Sequence, residues 1–180
     1  WDVLNLPNGK KIEVPFDLWS KQSEMTFSAT ERLPPIQPEP DDIKKAVAIL
    51  GSAKHPMILA GRGAVKAGVA KEITQLAGQL RAPVVMTPEG QGLIPHEHPF
   101  YAGNSTIWLN PVFKEADAIL VVGSRLRASG NTRLNLKPEQ KVIQIDCDAG
   151  ELGRNHRTDL GISADAKFTL TALSQSLENK

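Results

Sequence analysis

The sequence predicts an α/β protein: a doubly wound, mainly parallel, Rossmann-like sheet with helices on both faces. Apolar runs of strand length recur along the chain at Met57–Ala60, Pro83–Thr87, Ala118–Val122 and Gln140–Ile145. Between them lie segments whose apolar residues are spaced three and four apart, the period of a helix packed on one face. Each run also ends at a turn bearing glycine or aspartate. Strands that alternate with helices in this way form right-handed crossovers, which place the strands parallel and cover both sides of the sheet.

Taken in order, residues 1–38 read as an interdomain strap followed by a proline-rich linker. Trp1, Leu4, Leu6, Phe16 and Trp19 show no helical period among Pro7, Gly9 and Pro15, a pattern suited to packing on a neighbouring module. Leu33-Pro-Pro-Ile-Gln-Pro-Glu-Pro40 is an extended spacer. The folded domain is expected over 39–180.

Pro40-Asp41-Asp42 is a helix start, with Ile43, Val47 and Leu50 on one face and Gly51 near the stop. Met57–Ala60 then breaks at Gly61-Arg62-Gly63 into a helix with Val69, Ile73, Leu76 and Leu80 aligned. Pro83–Thr87 runs into Pro88-Glu-Gly-Gln-Gly92, and Leu93 to Asn104 is expected to be a loop long enough for a functional or interface role. A helix is expected over 107–116, and Ala118–Val122 is the most deeply buried strand, stopping at Gly123-Ser124-Arg125. Gln140–Ile145 closes at Asp146-Cys147-Asp148. Leu160 to Ile162 is a last edge strand, and Phe168, Leu170, Leu173 and Leu177 mark a terminal amphipathic helix.

In sheets of this kind ligands sit beyond the carboxyl ends of the strands, near the point where the strand order reverses. Gly61, Arg62, Gly63, Thr87, Gly90, Gly92, Gly123, Ser124, Arg125, Asp146 and Asp148 all belong to such ends, and together they form the candidate nucleotide rim. Glycine at a strand-to-helix turn lets a phosphate approach the backbone and the helix amino end. It serves equally well to turn the chain tightly. The spacing is not the dinucleotide fingerprint, since Lys66 stands where the third glycine of G-x-G-x-x-G belongs. Arg125 has the fork geometry for oxyanions. Asp146 suits either capping of the next turn or a ribose hydroxyl.

Other chemistry is disfavoured. With 41% hydrophobic and 23% charged residues and a net charge of +1, the 180-residue chain has no basic stripe for nucleic acid and no apolar run that spans a membrane. The lone Cys147 forms no intramolecular disulfide and suits the cytoplasm; two acids beside it should raise its pKa, which argues against a nucleophile. His96-Glu97-His98 reads as a loop rather than a metal site, and Ser124 lacks a nucleophile elbow. No catalytic or metal-binding residue is therefore assigned. The opening at Trp1 reads as the interior of a longer protein.

In this order and spacing, Pro56-x-Ile-Leu-Ala-Gly-x-Gly, Ala82-Pro-Val-Val-x-Thr with Gly90-x-Gly92-x-Ile-Pro95, Ala116-Asp117 with Gly123-x-Arg125, and Ile143-x-Ile-Asp146-x-Asp148 with Glu151-Leu-Gly153 resemble the central domain of thiamine-diphosphate-dependent enzymes of the acetolactate synthase type. The resemblance covers about 39 to 178. It implies a parent carboligase or 2-oxo acid decarboxylase, a transferase or lyase using thiamine diphosphate and magnesium, whose first and third domains are the partners of this one and which assembles as a homodimer or homotetramer. The family's activating glutamate belongs to the first domain, and its magnesium-binding Gly-Asp-Gly signature to the third. This chain has no Gly-Asp-Gly, so on its own it is expected to be inactive. Some members bind FAD, ADP or the adenosine end of CoA in this domain. Asn104-Ser-Thr-Ile-Trp-Leu-Asn110 and Leu126-Arg-Ala-Ser-Gly130 depart from the stretches that meet the flavin, which argues against FAD. The alternative is a free-standing Rossmann-type nucleotide-binding module.

Overall fold

The structure, a computed structural model, describes residues 2–5, 11–18, 20–22, 34–103, 111–127 and 136–178. It separates into two compact units, Trp1–Leu33 and Pro34–Lys180.

In the first unit, β1 (Asp2–Asn5) pairs antiparallel with β2 (Lys11–Val14), with Asp2 opposite Val14. This stretch, expected as part of a strap, thus contains an antiparallel strand pair. The side chains of Trp1, Leu4, Leu6, Phe16 and Trp19, expected to meet a partner, lie outside what the structure describes.

The second unit opens with α1 (Pro40–Ser52), which buries Ile43, Ala46, Val47 and Leu50. Proline at its start lacks only an N–H that would have had no helical partner, and Asp41 and Asp42 favour the positive end of the dipole. β3 (Pro56–Ala60) follows, then α2 (Arg62–Ala67) and α3 (Ala70–Leu80). One continuous helix was expected across Val69. Gly68 interrupts it by adopting φ +64 in the left-handed region, a conformation glycine takes without strain, and Val69 becomes the residue preceding α3.

β4 (Val84–Met86), α4 (Pro111–Glu115), β5 (Ala118–Val122), β6 (Lys141–Asp146), β7 (Leu160–Ser163) and α5 (Ala166–Glu178) complete the unit. The sheet runs β4-β3-β5-β6-β7 with every neighbouring pair parallel. Since β4 lies to one side of β3 and β5 to the other, the order reverses between β3 and β5, at the predicted rim. The segment after Leu93 was expected to be a loop; its end, residues 100–103, lies along the open side of β4. Val84 N–H donates to Phe100 O (2.7 Å) and Met86 N–H to Gly103 O (3.0 Å), so the edge is partly covered.

Alternate residues of each central strand enter two separate cores. Ile58, Ala60, Leu120, Val122, Ile143 and Ile145 pack with α1, α3 and α5, whereas Met57, Leu59, Ile119, Val121 and Val142 pack with Phe113 and Ala116 at α4. Burial on both faces explains the unbroken apolar runs. Of the terminal helix pattern, Leu170 and Leu173 are buried but Phe168 is exposed, because its position falls off the stripe the other two define.

The amino end of β5 is tied down by Asp117, whose carboxylate accepts the N–H groups of Lys54 (2.7 Å) and His55 (2.9 Å). Burial pushes this carboxyl up, but the two N–H groups outweigh it and hold its pKa below 3.8, the ordinary value. At the other end of the same connection Gln140, itself buried, donates to the carbonyls of Phe113 (2.9 Å) and Ala116 (2.7 Å) and so closes the last turn of α4.

Candidate functional site

The carboxyl ends of β4, β3 and β5 meet through glycine. Gly61 N–H donates to Val122 O (2.9 Å) and Gly63 N–H to Gly123 O (2.8 Å), which spends both donors inside the protein. A Cβ on Gly61 would lie 2.5 Å from Gly123 O, and one on Gly63 would lie 2.7 Å from Gly123 Cα. Gly90 presses on Ala60 O in the same way. These glycines let three backbone turns stack without side chains between them. Gly92 has a φ of +81, and among the described residues nothing lies within 4 Å of a Cβ placed on it. Thr87 is half-buried with its N–H on Ala60 O (2.9 Å), and Arg62 starts α2 with an exposed side chain.

Ser124 and Arg125 continue from this stack toward β6, where a buried polar group holds them. Gln144 faces the same side of the sheet as Val142, at the end of β6 that the loop 149–158 covers. Its Nε2 donates to Ser124 O (3.2 Å) and Glu151 O (3.0 Å), while its Oε1 accepts from Gly153 N–H (2.9 Å) and the Thr158 hydroxyl (3.0 Å). Asn155 Nδ2 adds a bond to Arg125 O (2.7 Å), and Leu126, buried, takes a left-handed φ of +50 just beyond. The four predicted turns are thus assembled on one rim, the fourth joined to the third by Gln144.

Charge at the rim is mixed. Asp146 Oδ1 accepts the Asp148 N–H (3.0 Å), and Asp148 Oδ1 accepts the Gly150 N–H (2.9 Å) at the start of a 3-10 turn over Ala149–Glu151. The cap of that turn is therefore Asp148, and Asp146 holds the N–H just ahead of it through one carboxylate oxygen. Arg125 Nε pairs with Glu151 Oε1 at 3.3 Å, and Arg154 approaches the same oxygen at 3.1 Å. Cys147 is exposed; burial of its sulfur pushes the thiol pKa up, and Asp146 and Asp148 push it further in the same direction. That is the direction the neighbouring acids predict. Partial burial holds the His156 imidazole below its ordinary value.

Gln144, Glu151 and Asn155 were not foreseen as organisers of the rim, nor Gln140 as the tie at the amino ends of the strands. Gln144 carried a signal: one amide in the middle of Val142-Ile-Gln-Ile145 requires four partners if the strand is buried. Asn104–Asn110 and residues 128–130, on which the argument against flavin partly rests, lie outside the described residues. At His96-Glu97-His98, His96 and Glu97 are exposed and 3.3 Å apart, and His98 Nδ1 accepts the Phe100 N–H (3.3 Å). Among the described residues no group of three or more His, Cys, Asp or Glu is placed to hold a metal, and no helix is long and apolar enough to cross a membrane. A cleft of about 320 Å³ lies at the opposite, amino end of the strands, between Lys54, His55, Arg81 and Glu115.

A parallel sheet with glycine turns stacked at its reversal point defines a doubly wound, Rossmann-like α/β domain. Residues 43–173 match the family described as "Thiamine pyrophosphate enzyme, central domain", and the chain belongs to that family. It is 33% identical over 184 aligned residues to the "Probable acetolactate synthase large subunit" of Methanocaldococcus jannaschii, covering 95% of this chain and 31% of that protein. Pyruvate oxidase of Lactiplantibacillus plantarum is 32% identical, with 90% of this chain and 28% of the relative covered. Glyoxylate carboligase of Escherichia coli O157:H7 is 31% identical, with 93% and 30% covered. The chain therefore spans about a third of the length of these curated relatives. Benzoylformate decarboxylase from Polynucleobacter necessarius superposes with a TM-score of 0.70 at 20% identity, over 89% of this chain and 31% of that one, a likeness of fold.

Proposed function

We propose that this chain is the non-catalytic central domain of a thiamine-diphosphate- and magnesium-dependent carboligase or 2-oxo acid decarboxylase. In such a parent the cofactor supplies the electron sink for an acyl carbanion. The residues described here do not fit that cofactor: the chain has no Gly-Asp-Gly, and the rim aspartates Asp146 and Asp148 are engaged with backbone N–H groups. The domain's part is to hold its neighbours in the parent, a cytoplasmic homodimer or homotetramer. A Gly-Asp-Gly followed by Asn in the third domain of the parent reading frame is the expected companion, and its absence would refute the assignment.

The rim retains the means to take the ADP part of an adenine nucleotide. The observation that carries this reading is the turn Gly123-Ser124-Arg125, held by Gln144 and Asn155 at the end of β5 beside the end of β6 at Asp146. A guanidinium and a carboxylate fixed on one rim suit a phosphate and a ribose hydroxyl. The purified domain is expected to be colourless and to prefer ADP or CoA to FAD. A ligand held at 100 times its dissociation constant stabilises a fold by about 2.7 kcal/mol, which a thermal melt detects. A yellow protein, or FAD binding more tightly than ADP, would contradict the ADP-only groove.

A further inference from the structure

We propose that Arg154 is a relay counter-ion that frees Arg125 for a phosphate by taking over the buried carboxylate of Glu151. The inference rests on the nucleotide reading above and names two positioning residues for it. Glu151 is only 5% exposed, and its place is fixed from both sides: its N–H donates to Asp148 O (3.0 Å) and its carbonyl accepts from Gln144. It cannot follow a ligand outward. The arginines that share its Oε1 can, since their side chains are 55% and 57% exposed.

A buried carboxylate tolerates loss of a counter-ion poorly, because the charge is then left without compensation in a medium that solvates it weakly. Phosphate binding by Arg125 would strip Glu151 of one partner. Arg154 is already within 3.1 Å of the same oxygen, and the second oxygen, Oε2, is buried with no hydrogen-bond partner among the described residues. A planar guanidinium can engage both oxygens of a carboxylate at once. When Arg125 leaves, Arg154 has the vacated position on Oε1 and the unused Oε2 available to it. The carboxylate stays paired throughout the exchange. The arginine that touches the ligand is Arg125; Arg154 acts through Glu151.

This predicts a coupling between two residues that do not both meet the nucleotide. Isothermal titration of ADP into the 180-residue chain should show R154M binding roughly ten- to a hundredfold more weakly than wild type, the size of one lost charge-assisted interaction. R154K should recover most of the loss. In E151Q, where Arg125 is released from its partner, ADP should bind more tightly than in wild type, and adding R154M should then change little. An equal loss from R154M in both backgrounds would show that Arg154 grips the phosphate itself, and would overturn the relay while leaving the nucleotide reading intact. Absence of ADP binding by both wild type and E151Q would remove the nucleotide reading and the relay together. The wild-type chain offers a second readout that needs no change at Glu151. A through-hydrogen-bond 15N–31P coupling should connect bound ADP to the Arg125 guanidinium, and the same coupling to Arg154 would overturn the relay.

Discussion

Gly123→Ala is expected to destabilise the domain by about 3–5 kcal/mol, the sum of overpacking against fixed backbone and a left-handed conformation imposed on an L residue. The added Cβ would lie 2.5 Å from both Ala64 N and Gly63 Cα, and φ at this position is +57. Backbone cannot swing aside as a flexible side chain does. Relief would require β5 to withdraw from the β3 turn and break the Gly63 N–H to Gly123 O bond. For a chain of this size the loss corresponds to a fall in melting temperature of roughly 10 °C. Gly68→Ala provides the control, because φ there is +64 but nothing lies within 4 Å of the new Cβ. It should cost only about 1 kcal/mol. Equal effects at the two positions would mean that the stack of turns is looser than described.

Gln144→Leu should cost about 3–5 kcal/mol although it makes the strand more apolar, because it strips two carbonyls and one N–H of their partner and leaves the Thr158 hydroxyl only the His156 carbonyl. The damage should be local as well as global. Hydrogen exchange at the Gly153 amide should accelerate far more than at Ile143, whose amide belongs to the sheet. Gln144→Glu keeps the acceptors for Gly153 and Thr158 but sets a carboxylate against the carbonyls of Ser124 and Glu151, so it should not rescue. A stable Gln144→Leu variant with an undisturbed loop would show that the network is incidental.

The parts of the fold legible in the sequence are those governed by local period and burial. Ala118–Val122 and Met57–Ala60 are apolar at every position because both faces of the sheet are covered. The carboxyl-end turns followed from the same alternation. What escaped were contacts set by distant parts of the chain. That Gly61 and Gly63 pack on Gly123 backbone could not be told from a phosphate seat without knowing that β3 and β5 are neighbours. Glu151 looked like one acid among many. Its pairing with Arg125, in the turn after β5, is not announced by its own neighbourhood in sequence. Gly68 was visible, but the helical period continuing through Val69 masked the break it makes.

The central claim is that the carboxyl rim, and not the cleft at the other end of the strands, receives the nucleotide. Chemical-shift mapping of the 15N-labelled chain with ADP tests it directly. Amides of Gly92, Ser124, Arg125, Asp146 and Asp148 should move together and saturate with one dissociation constant. Shifts confined to Lys54, His55, Arg81 and Glu115, which line the cleft at the amino ends, would contradict it.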